Sequence, residues 1–202
     1  NGKQGLDNSG IYGVAVSADG QIVAFMSYAS NLVAGDTNGA IDVFVHDRST
    51  GITERVSVDS SGAEGNADSY GGDISADGQI VMFLSSASNL VAGDTNGKQD
   101  VFVHDRVTGI TERVSVDSSG AEGDGHSGTI YGPGLSANGQ VVAFTSLATN
   151  FVAGDTNGTW DVFVHDRATG LTGRISVDSS GAEGNHQSGV YGVSISADGQ
   201  IV

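Results

Sequence analysis

Four short runs between residues 12 and 58 carry most of the apolar side chains: YGVAVS (12–17), QIVAFMS (21–27), DVFVHD (42–47) and ITERVSV (52–58). Each alternates apolar with polar or small residues, or gathers β-branched and aromatic ones between turn formers, which predicts a strand. No stretch sustains the 3.6-residue apolar rhythm of a helix. Ala18-Asp19-Gly20 joins the first run to the second, and Arg48-Ser49-Thr50-Gly51 joins the third to the fourth. Both are short enough for hairpins and carry a glycine able to take positive φ. The other two connections are long: YASNLVAGDTNGAI within the unit and DSSGAEGNADS after it. In an antiparallel sheet of four strands, this alternation puts both hairpins at one end and both long loops at the other. An assembly of such sheets has one plain face and one elaborated face.

The pattern recurs. SADGQIV stands at 17, 75 and 196 and SANGQVV at 136, giving spacings of 58, 61 and 60 residues. GDTNG returns at 35, 93 and 154, and DVFVHDR at 42, 100 and 161, while residues 1–23 and 180–202 are two versions of one segment. Only the step from SVDSSGAEG to SADG varies, at 18, 21 and 20 residues between their first serines. A period of this size predicts units that bury their apolar faces only against one another. The chain divides into a loop (1–11), three full units (12–69, 70–130 and 131–190) and the start of a fourth (191–202), all within a single array.

SADGQIVAF followed by DVFVHDR-x-TG-x-T-x-RVS resembles the TolB-type β-propeller repeat. In that family a Ser-x-Asp-Gly turn precedes an apolar strand and a V-x-D-x-x-T-G hairpin closes the blade. The match covers about two thirds of each unit. The resemblance implies an all-β fold, a β-propeller of four-stranded antiparallel blades, with about three and a third blades here and a ring of about six to eight in all. The chain departs from the family at Ala18, Ala76, Ala137 and Ala197, where proline is usual, and in its inserted ASNLVAGDTNG loop. The resemblance therefore speaks to fold and not to partner binding. A three-blade wedge leaves two apolar faces, to be covered by continuation of the chain or by self-association about a twofold axis.

Charge narrows the partners. Eight basic and 24 acidic residues give a net charge of −16, which repels nucleic acid and anionic membrane surfaces and favours cations. Glycine is abundant, at 32 residues against one proline, as suits many tight turns. With no cysteine, disulfides and thiolate metal sites are excluded. No run approaches 18 apolar residues, so no membrane-inserted helix is expected. The chain opens without an initiator methionine or a charged-then-apolar leader, so it is expected to be processed or cut from something longer.

The candidate chemistry lies in D-T-N-G-x-x-D: Asp36, Asn38 and Asp42; Asp94, Asn96 and Asp100; Asp155, Asn157 and Asp161. Oxygen side chains so spaced around a glycine can wrap Ca²⁺, and the loop is similar to a shortened calcium loop of integrin-type propeller repeats. The same residues can instead form Asx turns and cap the strand start. A second carboxylate set, Asp59 and Glu64, Asp117 and Glu122, Asp178 and Glu183, lies in the other long loop, either completing that site or solvated. His46, His104 and His165 read as hydrogen-bonded strand residues, because blade spacing of about 10 Å keeps them from a shared metal. Asp47, Asp105 and Asp166 are expected to accept hairpin amides. Arg48, Arg55 and their copies are expected to pair across strands with carboxylates such as Glu54 and Glu112, the glutamate becoming Gly173 in the third unit.

No serine has a local base with an oxyanion-hole pattern, and near-identical units give every blade the same residues, whereas catalysis needs different ones converging. The expectation is a non-catalytic extracellular, periplasmic or cell-surface scaffold that binds a protein partner on its long-loop face. Two alternatives stand beside it. One is a lectin-like propeller stacking glycans on Tyr12, Tyr70, Tyr131, Tyr191 or the single Trp160; the other is an accessory domain of a larger secreted enzyme.

Overall fold

A computed structural model describes residues 9–129 and 132–202. Twelve strands are found there: β1 (Ser9–Val16), β2 (Ile22–Ser27), β3 (Asp42–Asp47), β4 (Ile52–Arg55), β5 (Ser69–Tyr70), β6 (Ile80–Ser85), β7 (Asp100–Asp105), β8 (Ile110–Arg113), β9 (Gly134–Leu135), β10 (Val141–Ser146), β11 (Asp161–Asp166) and β12 (Leu171–Arg174). They form three four-stranded antiparallel meanders, β1 to β4, β5 to β8 and β9 to β12, each one blade. Register repeats between blades: Phe25 opposes Phe44, Phe83 opposes Phe102, and Phe144 opposes Phe163. Among the described residues no helix is long and apolar enough to cross a membrane.

Two expectations about strand extent change. The fourth strand stops at Arg55 rather than running to 58, and Val58 turns to bridge Glu64 in the interblade loop. The leading strand is uneven, eight residues in β1 and two in each of β5 and β9. Gly71 and Gly72 interrupt it in the second blade, where the chain runs so close that a Cβ on Gly72 would lie 2.0 Å from the Met82 carbonyl oxygen. In the third blade Pro133 lacks the N–H a ladder needs. Residues 191–202 repeat the leading-strand sequence without pairing into a ladder, although their turn closes as in the other units through Gly199 N–H to the Ser196 carbonyl, 2.9 Å.

The period-two alternation sends each sheet's apolar side chains to both flanks, so the core lies between blades. At the first junction Ala24, Met26, Val43 and Val45 meet Val81, Phe83 and Phe102. At the second, Met82, Leu84, Val101 and Val103 meet Val142, Phe144 and Phe163. Each fully buried phenylalanine contributes about 2–3 kcal/mol by area removed from water. A backbone chain also links the hairpin ends: Ala18 N–H donates to the Ala76 carbonyl (2.9 Å), Ala76 to Ala137 (2.7 Å) and Ala137 to Ala197 (3.0 Å). The second short hairpin lies at that same end, since Arg48 donates through its backbone to Gln21 and through Nη1 to the Gly20 carbonyl. Both long loops gather at the opposite end.

Candidate functional site

On the long-loop face the two loops of each blade are pinned together by one arginine. Asp42, Asp100 and Asp161 open the third strands and are fully buried. In each, Oδ1 accepts a serine hydroxyl, from Ser57, Ser115 and Ser176 respectively. That hydroxyl oxygen in turn accepts a backbone amide from the third strand, Val43 N–H at 3.1 Å in the first blade. Oδ2 of Asp42 accepts Asn38 Nδ2 at 3.0 Å and faces Arg55 Nη1 at 3.2 Å. Arg55 closes β4 and reaches upward, so that Nη1 also lies 2.8 Å from Glu64 and 3.6 Å from Asp36, while Nη2 donates to the Gly35 carbonyl at 3.3 Å.

The copies reproduce this arrangement. Arg113 stands 3.4, 3.5 and 3.0 Å from Asp94, Asp100 and Glu122. Arg174 stands 3.3, 3.6 and 2.9 Å from Asp155, Asp161 and Glu183. Each arginine side chain is more than nine-tenths buried.

Glu64, Glu122 and Glu183 complete the cluster from the interblade loop. Their carboxylates take both the amide and the hydroxyl of Thr37, Thr95 and Thr156. Those threonine bonds, with the guanidinium behind them, hold the glutamates below the ordinary range, Glu122 at about 2. Burial pushes Asp36, Asp94 and Asp155 the other way, with the neighbouring carboxylates adding to the rise and the arginine opposing it.

The remaining sequence candidates separate. Asp59, Asp117 and Asp178 do not join the cluster; each closes its own turn, Asp59 Oδ1 accepting Ser61 N–H at 2.8 Å and Ala63 N–H at 2.9 Å. Asn38, Asn96 and Asn157 turn their NH₂ groups to the aspartate and to the Gly65, Gly123 or Gly184 carbonyl, and spend their oxygens on Ala40, Lys98 or Thr159 N–H. The three histidines bond the threonine of the adjacent strand at 2.8–2.9 Å, and Asp47, Asp105 and Asp166 accept hairpin amides.

The cross-strand pairing expected for the arginines is found between Arg55, Arg113 and Arg174 and the aspartates of the adjacent third strands, while Glu54 and Glu112 find their arginines in the next blade. Arg55 and its copies also reach the two long loops, through Asp36 and Glu64 in the first blade. Arg106 pairs with Glu54, and Arg167 with Glu112, across the junction to the preceding blade. Trp160 is half-buried, and its carbonyl accepts Ser188 N–H at 2.7 Å as Ile41 and Gln99 do for Ser69 and Ser127. Tyr131 and the side chain of Tyr12 lie outside the described residues. The arginines carry no motif of their own. The available signal was one arginine per unit at the end of the fourth strand, set against three acids in the loops.

Asp36, Asp42 and Glu64, and likewise Asp155, Asp161 and Glu183, offer oxygens within 4.8 Å of one another, close enough to hold a metal ion. As the chain folds, the cation among them is a guanidinium, and the asparagine oxygen is turned away. Ca²⁺ asks for six to eight oxygens at about 2.3–2.6 Å, so in this geometry it fits only if the arginine withdraws. A shallow cleft of about 340 Å³ lies between the first interblade loop and the second blade, lined by Asp59, Ser60, Ser61, Asn89, Leu90 and Thr111 among others.

No protein-family model matches the chain, and no curated protein sequence matches it. Solved structures do. A TolB from Acinetobacter baumannii aligns over 96% of this chain and 36% of its own at 20% identity, TM-score 0.53. The β-propeller domain of the Trilobed protease from Pyrococcus furiosus, described as having an open velcro topology, aligns over 84% and 43% at 10% identity, TM-score 0.50. The fold is a β-propeller, of which this chain spans less than half the length of either structure.

Proposed function

We propose that the chain is a non-catalytic propeller scaffold that presents its long-loop face to a protein partner, outside the cytoplasm or at a cell surface. The observation that supports this reading is the threefold repetition of one cluster in which an arginine faces three carboxylates. Every blade spends the same acids on the same arginine, at distances that agree within about half an ångström, whereas catalysis calls for differing residues converging on one point. The arrangement ties the D-T-N-G loop to the interblade loop and so makes the face rigid, the condition for binding without an ordering cost. The repeat motifs together with the fold favour a TolB-type repeat. The accessory-domain reading keeps the same face.

Hydrogen exchange with added Ca²⁺ and with chelator tests this. Slow exchange of the Thr37, Thr95 and Thr156 amides in both conditions is expected. Loops that exchange freely until Ca²⁺ is added would replace the arginine reading with the calcium one. The glycan alternative has the mixed polar and apolar cleft beside Asp59 as a site, whose lining contains no aromatic ring; binding on a glycan array that is lost in Asp59→Ala would favour it over the protein partner.

A further inference from the structure

The cleft between the first interblade loop and the second blade has walls whose hydrogen-bonding groups are already committed. Ser60 Oγ accepts the Thr111 amide at 3.0 Å and donates to the Thr111 carbonyl at 3.3 Å, and the Thr111 hydroxyl donates to the Val58 carbonyl at 2.5 Å. Asn89 donates to the Glu64 carbonyl at 2.8 Å and accepts the Asn66 amide at 2.9 Å. Ser61 donates its hydroxyl to Asp59 Oδ1 at 2.7 Å. Both loops and the edge strand are thereby fixed before anything enters. The second junction repeats the set: Ser118 with Thr172 at 3.0 and 3.2 Å, Asn150 on the Glu122 carbonyl at 2.8 Å, and Ser119 on Asp117 at 2.7 Å.

What remains unspent is one charge beside an apolar wall. The bonds that close the Asp59 turn, from Ser61 N–H, Ser61 Oγ and Ala63 N–H, all fall on Oδ1, and Oδ2 takes none of them. Those bonds, led by the Ser61 hydroxyl, outweigh burial and hold the carboxyl below its usual range, so it is ionised at neutral pH. The rest of the lining is Leu90, Val91 and Ala92. A ligand that reads hydroxyls or amides finds few open partners here, whereas a long aliphatic stem ending in a cation finds both of its counterparts. The volume, about 340 Å³, stands at the small end of the roughly 300–1,000 Å³ of ligand pockets and suits a single side chain. With one carboxylate oxygen to meet, a compact ammonium matches better than a two-pronged guanidinium.

The charge of the surrounding face agrees. Of the eight basic residues, Arg55, Arg113 and Arg174 are buried in the clusters, Arg48, Arg106 and Arg167 stand at the hairpin end, and Lys3 lies outside the described residues. Lys98 is the one base left among the described long-loop residues, against Asp59, Asp68, Asp117 and Asp124 beyond the clusters. We propose that this cleft, and its counterpart at the second junction, each receive a lysine side chain of the protein partner. The stem lies on Val91 and Ala92 in the first and on Val152 and Ala153 in the second, and the ammonium meets Asp59 or Asp117. The proposal rests on the reading of the long-loop face as a protein-binding face and adds the chemistry of what it binds.

Nuclear magnetic resonance titration of the 202-residue chain tests it, with a flexible glycine-serine peptide carrying lysines and matched peptides carrying arginine, norleucine or glutamate in their place. The lysine peptide should shift the amides of Ser60, Ser61, Val91 and Ala92 and of Ser118, Ser119, Val152 and Ala153. Asp59→Asn with Asp117→Asn keeps the oxygen that closes each turn and removes the charge. That double variant should weaken lysine-peptide binding about fivefold, the worth of two half-exposed ion pairs. Asp19→Asn with Asp77→Asn removes the same charge from the hairpin end and should change binding by less than about twofold, since distant exposed charges are screened. Equal binding of the norleucine or arginine peptide, equal losses in the two double variants, or shifts confined to other long-loop residues would overturn the proposal. A chain indifferent to every peptide would overturn it too. The scaffold reading fails separately, on the exchange of the Thr37, Thr95 and Thr156 amides.

Discussion

A buried aspartate at the start of each third strand is tolerable only because its charge is answered in place. Asp100 is fully buried, bonded to Ser115 and Asn96 and faced by Arg113. Removing the arginine leaves buried negative charge beside two further carboxylates, so Arg113→Met should cost about 3–5 kcal/mol, read as a fall in denaturation midpoint. If the variant folds, added Ca²⁺ should recover part of that loss, since the acids then lack their internal cation. Acid should act through two groups of residues. Burial lowers His104 and His165 below 6.5, so the unfolded chain takes up protons there that the folded chain refuses, and stability declines as pH drops below 6.5. Glu122, held at about 2, supports the fold above its ordinary 4.5 and loses that contribution progressively as pH falls from 4.5 towards 2. Asp94 and Asp100 are raised and act in the opposite sense, because the folded state accepts their protons first. Urea titrations across pH should therefore show declining stability from 6.5 downward, and the upper limb should flatten in His104→Gln with His165→Gln.

The S-A-D-G turn of the second blade and the S-A-N-G turn of the third each do two jobs with one glycine. Gly78 takes φ +74°, and a Cβ there would also meet Ile22 of the preceding blade at 2.6 Å; Gly139 is placed in the same way against Ile80. Gly97, with φ +63° in open space, isolates the first cost. Gly97→Ala should lose about 1 kcal/mol for the left-handed backbone alone. Gly78→Ala should lose clearly more, by a further 1–3 kcal/mol or about that, as the blades are forced apart; equal losses in thermal melts would refute a role in blade contact. At this scale most of the fold was legible in sequence, because alternation and turn chemistry are local. The second, third and fourth strands and both hairpins follow from them directly. The leading strand was not, since its breaks at Gly71-Gly72 and Pro133 lie in the one connection that varies between units. Nor was the partner of each arginine. Glu64 is bonded to Thr37 across 27 residues, and Glu54 to Arg106 across 52, distances at which spacing along the chain carries no signal.

Stability in such an array is a sum over blades and the junctions between them, and here the sum is uneven. The middle blade is covered on both flanks, with Met82, Phe83, Leu84, Val101, Phe102 and Val103 all at zero exposure. Within residues 9–202 the outer flanks are less covered, as the exposure of Val16 and Ile175 shows. Opening should therefore begin at the ends and leave the middle blade until last. Hydrogen exchange at low concentration should find the β7 amides slower than the equivalent amides of β3 and β11, although DVFVHD is the same sequence in all three. Phe83→Ala should cost about 3–5 kcal/mol, and Phe25→Ala, on a partly exposed flank, less. Because the three strands are identical in sequence, any difference in their protection measures neighbours and not local propensity.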